Sequence, residues 1–163
     1  MKKLLLAVLL FPNLAAAAYE VNGVALGGKE ADVLKAFPSA RCKPLEWKTD
    51  AADRRCDDAQ ISLGGTAGKI TVFFKAGVIQ AMDLRFDTRD VDRIKQTLRS
   101  RWGDPLGEAT EIFTAKDKKD RSVFKMRWEK GADHAVFTAQ MDKKRATLEI
   151  SRGNFLVEIY KVK

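Results

Sequence analysis

The chain has 163 residues, room for one ordinary domain or two small ones, and is 45% hydrophobic and 32% charged. That balance fits neither an integral membrane protein nor a disordered chain. Two Cys and one His leave almost no room for a multi-ligand zinc or iron–sulfur site, and 30 Lys plus Arg over 22 Asp plus Glu give a net charge of +8.

Lys2 and Lys3 precede an apolar stretch over 4–14, which Pro12 and Asn13 interrupt and which is too short to span a bilayer. Ala16 and Ala18 then stand where a signal peptidase reads small residues. Residues 1–18 are therefore expected to be a signal peptide cleaved near Ala18, which makes the product periplasmic or secreted. Two α+β modules are expected after it, over 19–86 and 87–163.

The first predicted helix covers 29–37, where Val33, Leu34 and Phe37 share a face and Pro38 stops the helix. Cys42 and Cys56 follow. In an oxidising compartment they are expected to pair and close a loop, worth about 3 kcal/mol by chain entropy. The competing readings are a thiol nucleophile, which wants a partner His, and a metal clip, which wants two further ligands. Strands are predicted over 45–48, 59–63, 69–75 and 78–86. In the last of these Met82, Leu84 and Phe86 alternate with Asp83 and Arg85, while Ala76-Gly77 marks a hairpin.

The second predicted helix spans 89–102, with Val91, Ile94, Leu98 and Trp102 in one apolar stripe and Gly103 and Pro105 beyond its end. Four more strands are predicted over 109–114, 122–129, 134–141 and 145–151, each of the last three alternating apolar with polar residues. The order helix plus four strands thus occurs twice. Phe37 and Trp102 close the two helices at the same separation that relates Ala81 and Ala146 in the fourth strands. The expected fold is α+β: two tandem α-β-β-β-β modules forming an antiparallel sheet with its helices on one face. The alternative is one domain without internal symmetry, and residues 154–163 fit a strand or a short helix equally.

This arrangement, with a signal peptide and a short-range cysteine pair after the first helix, resembles the β-lactamase inhibitor protein fold. Gly23-Val24-Ala25-Leu26-Gly27, followed by Glu30, Val33 and Phe37-Pro38, is also similar to the opening of small outer-membrane assembly lipoproteins related to that fold. No lipid-bearing Cys follows the signal here, and the second half has no cysteine pair. The resemblance implies a fold that grips other proteins on a sheet face without catalysis.

Catalytic patterns are sparse. His134 has no Ser or Cys motif around it and reads as a surface or cap residue. The acidic run Asp50, Asp53, Asp57 and Asp58 brackets Arg54 and Arg55 and reads as a self-neutralising loop rather than a calcium site. Gly64-Gly65 reads as a turn, since no phosphate-loop Lys follows. No cofactor is expected. Basic stretches at 116–121, at 143–145 and at Lys161 with Lys163 lack the interleaved aromatics of a nucleic-acid binder.

The face opposite the helices is the expected partner surface. It would present Phe73, Ile79, Arg85, Lys125, Arg127, Thr138 and Arg145, with Trp47 as a further anchor. The function expected from these residues is a non-enzymatic, exported module that binds a protein of the cell envelope. The alternatives are binding of anionic lipid or polysaccharide through the basic turns and, third, a hydrolase.

Overall fold

The computed structural model describes residues 19–114, 116 and 120–162. The expected signal peptide, residues 117–119 of the basic stretch and Lys163 lie outside them. The described chain is an α+β protein, mostly antiparallel sheet.

It opens with a small hairpin, β1 (Glu20–Val21) and β2 (Val24–Ala25). The turn is Asn22-Gly23, both at positive φ, the pairing that a right-twisted two-residue hairpin needs. Helix α1 (Glu30–Ala36) follows, with the Asp32 carboxylate accepting from the Lys29 backbone N–H to fasten its start. Val33 and Phe37 are buried, but Leu34 is 41% exposed, so the expected three-residue face is really two. Four strands come next: β3 (Arg41–Pro44), β4 (Arg54–Leu63), β5 (Thr66–Lys75) and β6 (Val78–Phe86). A 3-10 turn over Thr88–Asp90 leads into α2 (Val91–Trp102). Strands β7 (Gly107–Thr114), β8 (Asp120–Lys130), β9 (Asp133–Gln140) and β10 (Arg145–Arg152), then the short α3 (Phe155–Glu158), complete the chain.

The strand predicted over 45–48 is a correction. The pairing strand is β3, and Leu45 to Asp53 form a loop closed by the Leu45 N–H donating to the Asp53 carbonyl at 2.9 Å. Leu45 and Trp47, whose spacing suggested a strand, are instead partly buried in a small apolar cluster away from the main core.

Eight strands make one sheet in the order β3-β4-β5-β6-β10-β9-β8-β7, every neighbouring pair antiparallel. The two meanders meet where β6 pairs with β10. Val33 of α1 and Ile94 and Leu98 of α2 belong to one core with Val72, Phe74, Met82, Leu84, Met126, Phe137 and Leu148 from the sheet. Burying aliphatic and aromatic side chains of this size contributes about 1.5–3 kcal/mol each, which makes this layer the main source of stability. Tyr19 packs edge-on against Trp102 at 5.1 Å and Trp102 against Trp128 at 5.6 Å, with the Trp128 Nε1 donating to the Gly103 carbonyl. The β4–β5 turn is seated on α2: a Cβ at Gly64, whose φ is +57, would come within 2.3 Å of the Thr97 hydroxyl.

The sheet's two edges differ. β3 has four residues, ends in Pro44 and is joined to β4 by a disulfide between Cys42 and Cys56, which stand directly opposite each other. β7 has eight residues, all exposed, including Ile112 at 71% and Phe113 at 48%.

Candidate functional site

Alternation along the strands puts one set of side chains in the core and the other on the opposite face. The pairing register turns that second set into rows that cross the sheet. One row runs Lys69, Arg85, Thr147, Thr138, Lys125, from β5 to β8. Beside it runs Thr71, Asp83, Glu149, Val136, Arg127. A third row runs Phe73, Ala81, Ser151, His134, Glu129.

Of the residues expected on this face, Arg85, Lys125, Arg127, Thr138 and Arg145 are on it. Ile79 is not. The register between β5 and β6 slips at Phe73, so that Phe73 opposes Ala81 while Phe74 opposes Ile79. Gln80 is the extra residue of this bulge, and it turns Ile79 into the core, fully buried beside Met82 on the helix side. Phe73 is on the expected face yet is only partly exposed, packed on Phe155 of α3 at 5.5 Å. Trp47 is likewise engaged within the chain. Its Nε1 donates to the Ile159 carbonyl at 3.0 Å, the Thr49 hydroxyl donates to the Glu158 carbonyl, and Arg55 lies over the indole at 5.9 Å. Trp47 and Phe73 therefore clasp α3 to the sheet. That helix and the 45–53 loop cover the part of the face around Phe73, Ala81 and the end of β10, whereas Arg85, Lys125 and Arg127 stay accessible.

Beyond that cover the cations are held in place by neighbouring carboxylates. Lys125 lies 3.1 Å from Glu111, Arg127 lies 3.3 Å from Glu129, and Arg85 lies 3.2 Å from Asp83. Such exposed pairs add little stability but limit the rotamers of the side chains they join. His134 is half-buried, 3.8 Å from Glu129. At the seam, Asp83 and Glu149 stand directly opposite each other across β6 and β10. Burial pushes the Asp83 carboxyl up despite the pull of Arg85 and Arg145, and its Oδ1 is buried without a hydrogen bond. Burial also pushes Glu149 up, and the adjacent charge of Asp83 adds to it.

At one end of the face, the β4–β5 hairpin, the end of β6 and the start of β10 border an open trough of about 880 Å³. Five cations line it: Lys69, Arg85, Lys143, Lys144 and Arg145. The sequence placed 143–145 at a turn but gave no sign that Lys69 and Arg85 would join it, since only the register brings β5 and β6 alongside that turn.

Glu30, Cys42 and Cys56 come close enough to suggest a metal site, but both sulfurs are committed to the disulfide and Glu30 receives a two-pronged hydrogen bond from Arg54 at 2.5 and 3.1 Å. No family model, curated protein or solved structure matches the chain.

Proposed function

We propose that the protein is an exported, non-enzymatic binding module that engages a protein partner of the cell envelope through the open part of its sheet face. Arg85, Lys125, Arg127, Thr138 and Arg145 are the contact residues in this reading. The observation that carries it is the asymmetric cover. α3 and the 45–53 loop cover the part of the face around Phe73, Ala81 and the end of β10, whereas Arg85, Lys125 and Arg127 stay accessible beyond that cover. An uncovered face bearing oriented Arg side chains has the chemistry that small protein interfaces use to concentrate binding energy.

The architecture belongs to the same proposal. We read the chain as two helix-plus-four-strand modules with both helices on one face. Support comes from the element order, from the mirrored strand order about β6 and β10, and from the shared core of Val33, Ile94 and Leu98. A resemblance to the β-lactamase inhibitor protein fold stands on that reading.

The test is crosslinking in the intact envelope, with capture compared between wild type and Lys125→Ala/Arg127→Ala. Capture is expected to weaken about tenfold or more, at roughly 1.4 kcal/mol per decade, with an unchanged circular dichroism spectrum. Equal capture would remove the face from consideration. The same preparation, analysed by intact mass, reports whether the exported chain starts near Tyr19.

A further inference from the structure

We infer that the trough between the β4–β5 hairpin and the start of β10 binds ligands carrying several phosphate groups. This goes beyond the protein-binding reading, because Lys69, Lys143 and Lys144 take no part in that one. Three observations carry it.

The first is the charge balance of the walls. Lys69, Arg85, Lys143, Lys144 and Arg145 line the trough, and Asp87 is the one carboxylate among its lining residues, with Asp83, the partner of Arg85, in the adjoining hollow. Asp87 is already engaged: it accepts from the Arg89 backbone N–H at 2.9 Å and from the Arg89 guanidinium at 3.2 and 3.3 Å. The second is that Lys69, Lys143, Lys144 and Arg145 have no carboxylate at ion-pair distance among the described residues, Arg145 and Lys144 acting on Asp83 and Asp87 only from farther away, unlike Lys125 and Arg127 farther along the face. Cations that line one trough without close carboxylate partners repel one another, and a concentrated negative charge relieves that cost. The third is size. The trough is open and, at about 880 Å³, larger than one phosphate group fills, which suits an extended ligand with several anionic centres. Each phosphoryl group brings more charge than a carboxylate and accepts the fork of an arginine in two-pronged fashion, with lysines as point charges beside it. Gln60 and Ser62 add neutral polar groups to the same wall.

The site is tested by calorimetric titration of the full chain with tripolyphosphate. Saturable binding is expected, weakening as salt screens the charges. Lys69→Gln/Lys143→Gln/Lys144→Asn should weaken it at least tenfold. Asn is used at 144 because that residue has φ of 48, where Asn is tolerated and most side chains are strained. A control, Lys35→Gln/Lys48→Gln/Lys161→Gln, removes the same charge from distant exposed positions and should bind as wild type does. Circular dichroism checks that both variants fold. Non-saturable binding, or equal weakening in the two triple variants, overturns the site, since bulk charge would then suffice.

A second arm separates a lipid headgroup from a soluble phosphate ester. Sedimentation with phosphatidylcholine vesicles, with and without phosphatidic acid, is run with tripolyphosphate as competitor. Binding to the phosphatidic acid vesicles that tripolyphosphate displaces identifies a headgroup, whereas tripolyphosphate binding without vesicle binding identifies a soluble ester, and both uphold the site. Vesicle binding that neither tripolyphosphate nor the trough variant reduces overturns it.

Discussion

The two halves of the sheet are finished differently. In the first half, the edge strand is short, ends in proline and is stapled by Cys42–Cys56, and the outer face is roofed by α3 through Trp47, Phe73 and Phe155. In the second half, the edge strand is twice as long and wholly exposed, and the outer face carries Lys125, Arg127 and Thr138 without a roof. The helix-side core is continuous under both. The common layer supplies the main stability, and the roof and the staple add to it locally in the first half. A protein that covers one edge and part of one face while leaving the rest bare has surfaces to offer on the bare side.

The strongest way to break this comparison is to remove the roof. Phe155→Ala should cost roughly 3–5 kcal/mol, as truncation of a buried aromatic does, and release α3 from the sheet. Urea unfolding measures the cost, and hydrogen exchange should show new exposure at Phe73 and Ala81 with β8 and β9 unaffected. Loss of protection in β8 and β9 as well would mean that the roof supports both halves.

Removing the staple comes next. Cys42→Ser/Cys56→Ser should lower stability by about 3 kcal/mol in the chain-entropy account. Intact mass before and after reduction establishes the bond first. Opening is expected at β3 and the 45–53 loop only, because the staple joins an edge strand to its single neighbour. A loss near zero would mean that the reduced chain keeps the loop closed by other contacts, such as the β3–β4 ladder and the Leu45–Asp53 hydrogen bond.

The seam between the halves responds to pH. Glu149 has its carboxyl pushed up by burial and by Asp83, so the folded chain binds a proton there more tightly than the unfolded chain does. Stability from this group therefore falls as pH rises from the ordinary carboxylate range through the raised value. Glu149→Gln should be more stable than wild type at neutral pH, with the gap closing as pH drops below the ordinary range. Glu30 has the opposite sign. Hydrogen bonding from Arg54 holds its carboxyl down, so its contribution is present above the ordinary range and is lost as pH falls through the lowered value. Glu30→Gln should therefore lose stability at neutral pH. Unfolding midpoints of both variants between pH 3 and pH 8 decide the signs.

Much of the architecture was legible because it rests on periodicity. The stripe of Ile94, Leu98 and Trp102 and the alternations of β6, β8, β9 and β10 state their own element and their own inward face. What escaped the reading depends on contacts distant in sequence. The Gln80 bulge that turns Ile79 inward is visible only against β5. α3 is four residues long, too short to show a period, and its place is set by a tryptophan more than a hundred positions earlier. The trough likewise requires β5 and the β10 turn to be neighbours of β6. One omission had a local signal: Val21-Asn22-Gly23-Val24 carries the two-residue turn of the β1–β2 hairpin.

The smallest expected effect is the sharpest test of the bare edge. Ile112 is 71% exposed on an outermost strand, and β8 is the single strand that β7 pairs with. Replacing it with Lys removes no buried area, so stability should stay within about 0.5 kcal/mol of wild type. The inward isoleucine of the opposite meander behaves otherwise: Ile70 in β5 is 2% exposed, and Ile70→Ala should cost about 2–5 kcal/mol. A lysine on an exposed edge also discourages strand-to-strand association, so Ile112→Lys should raise the concentration at which the protein stays monomeric in sedimentation, or leave it unchanged. A loss of more than about 1 kcal/mol on Ile112→Lys would show that β7 is covered in the free protein, and the contrast between the two edges would fail.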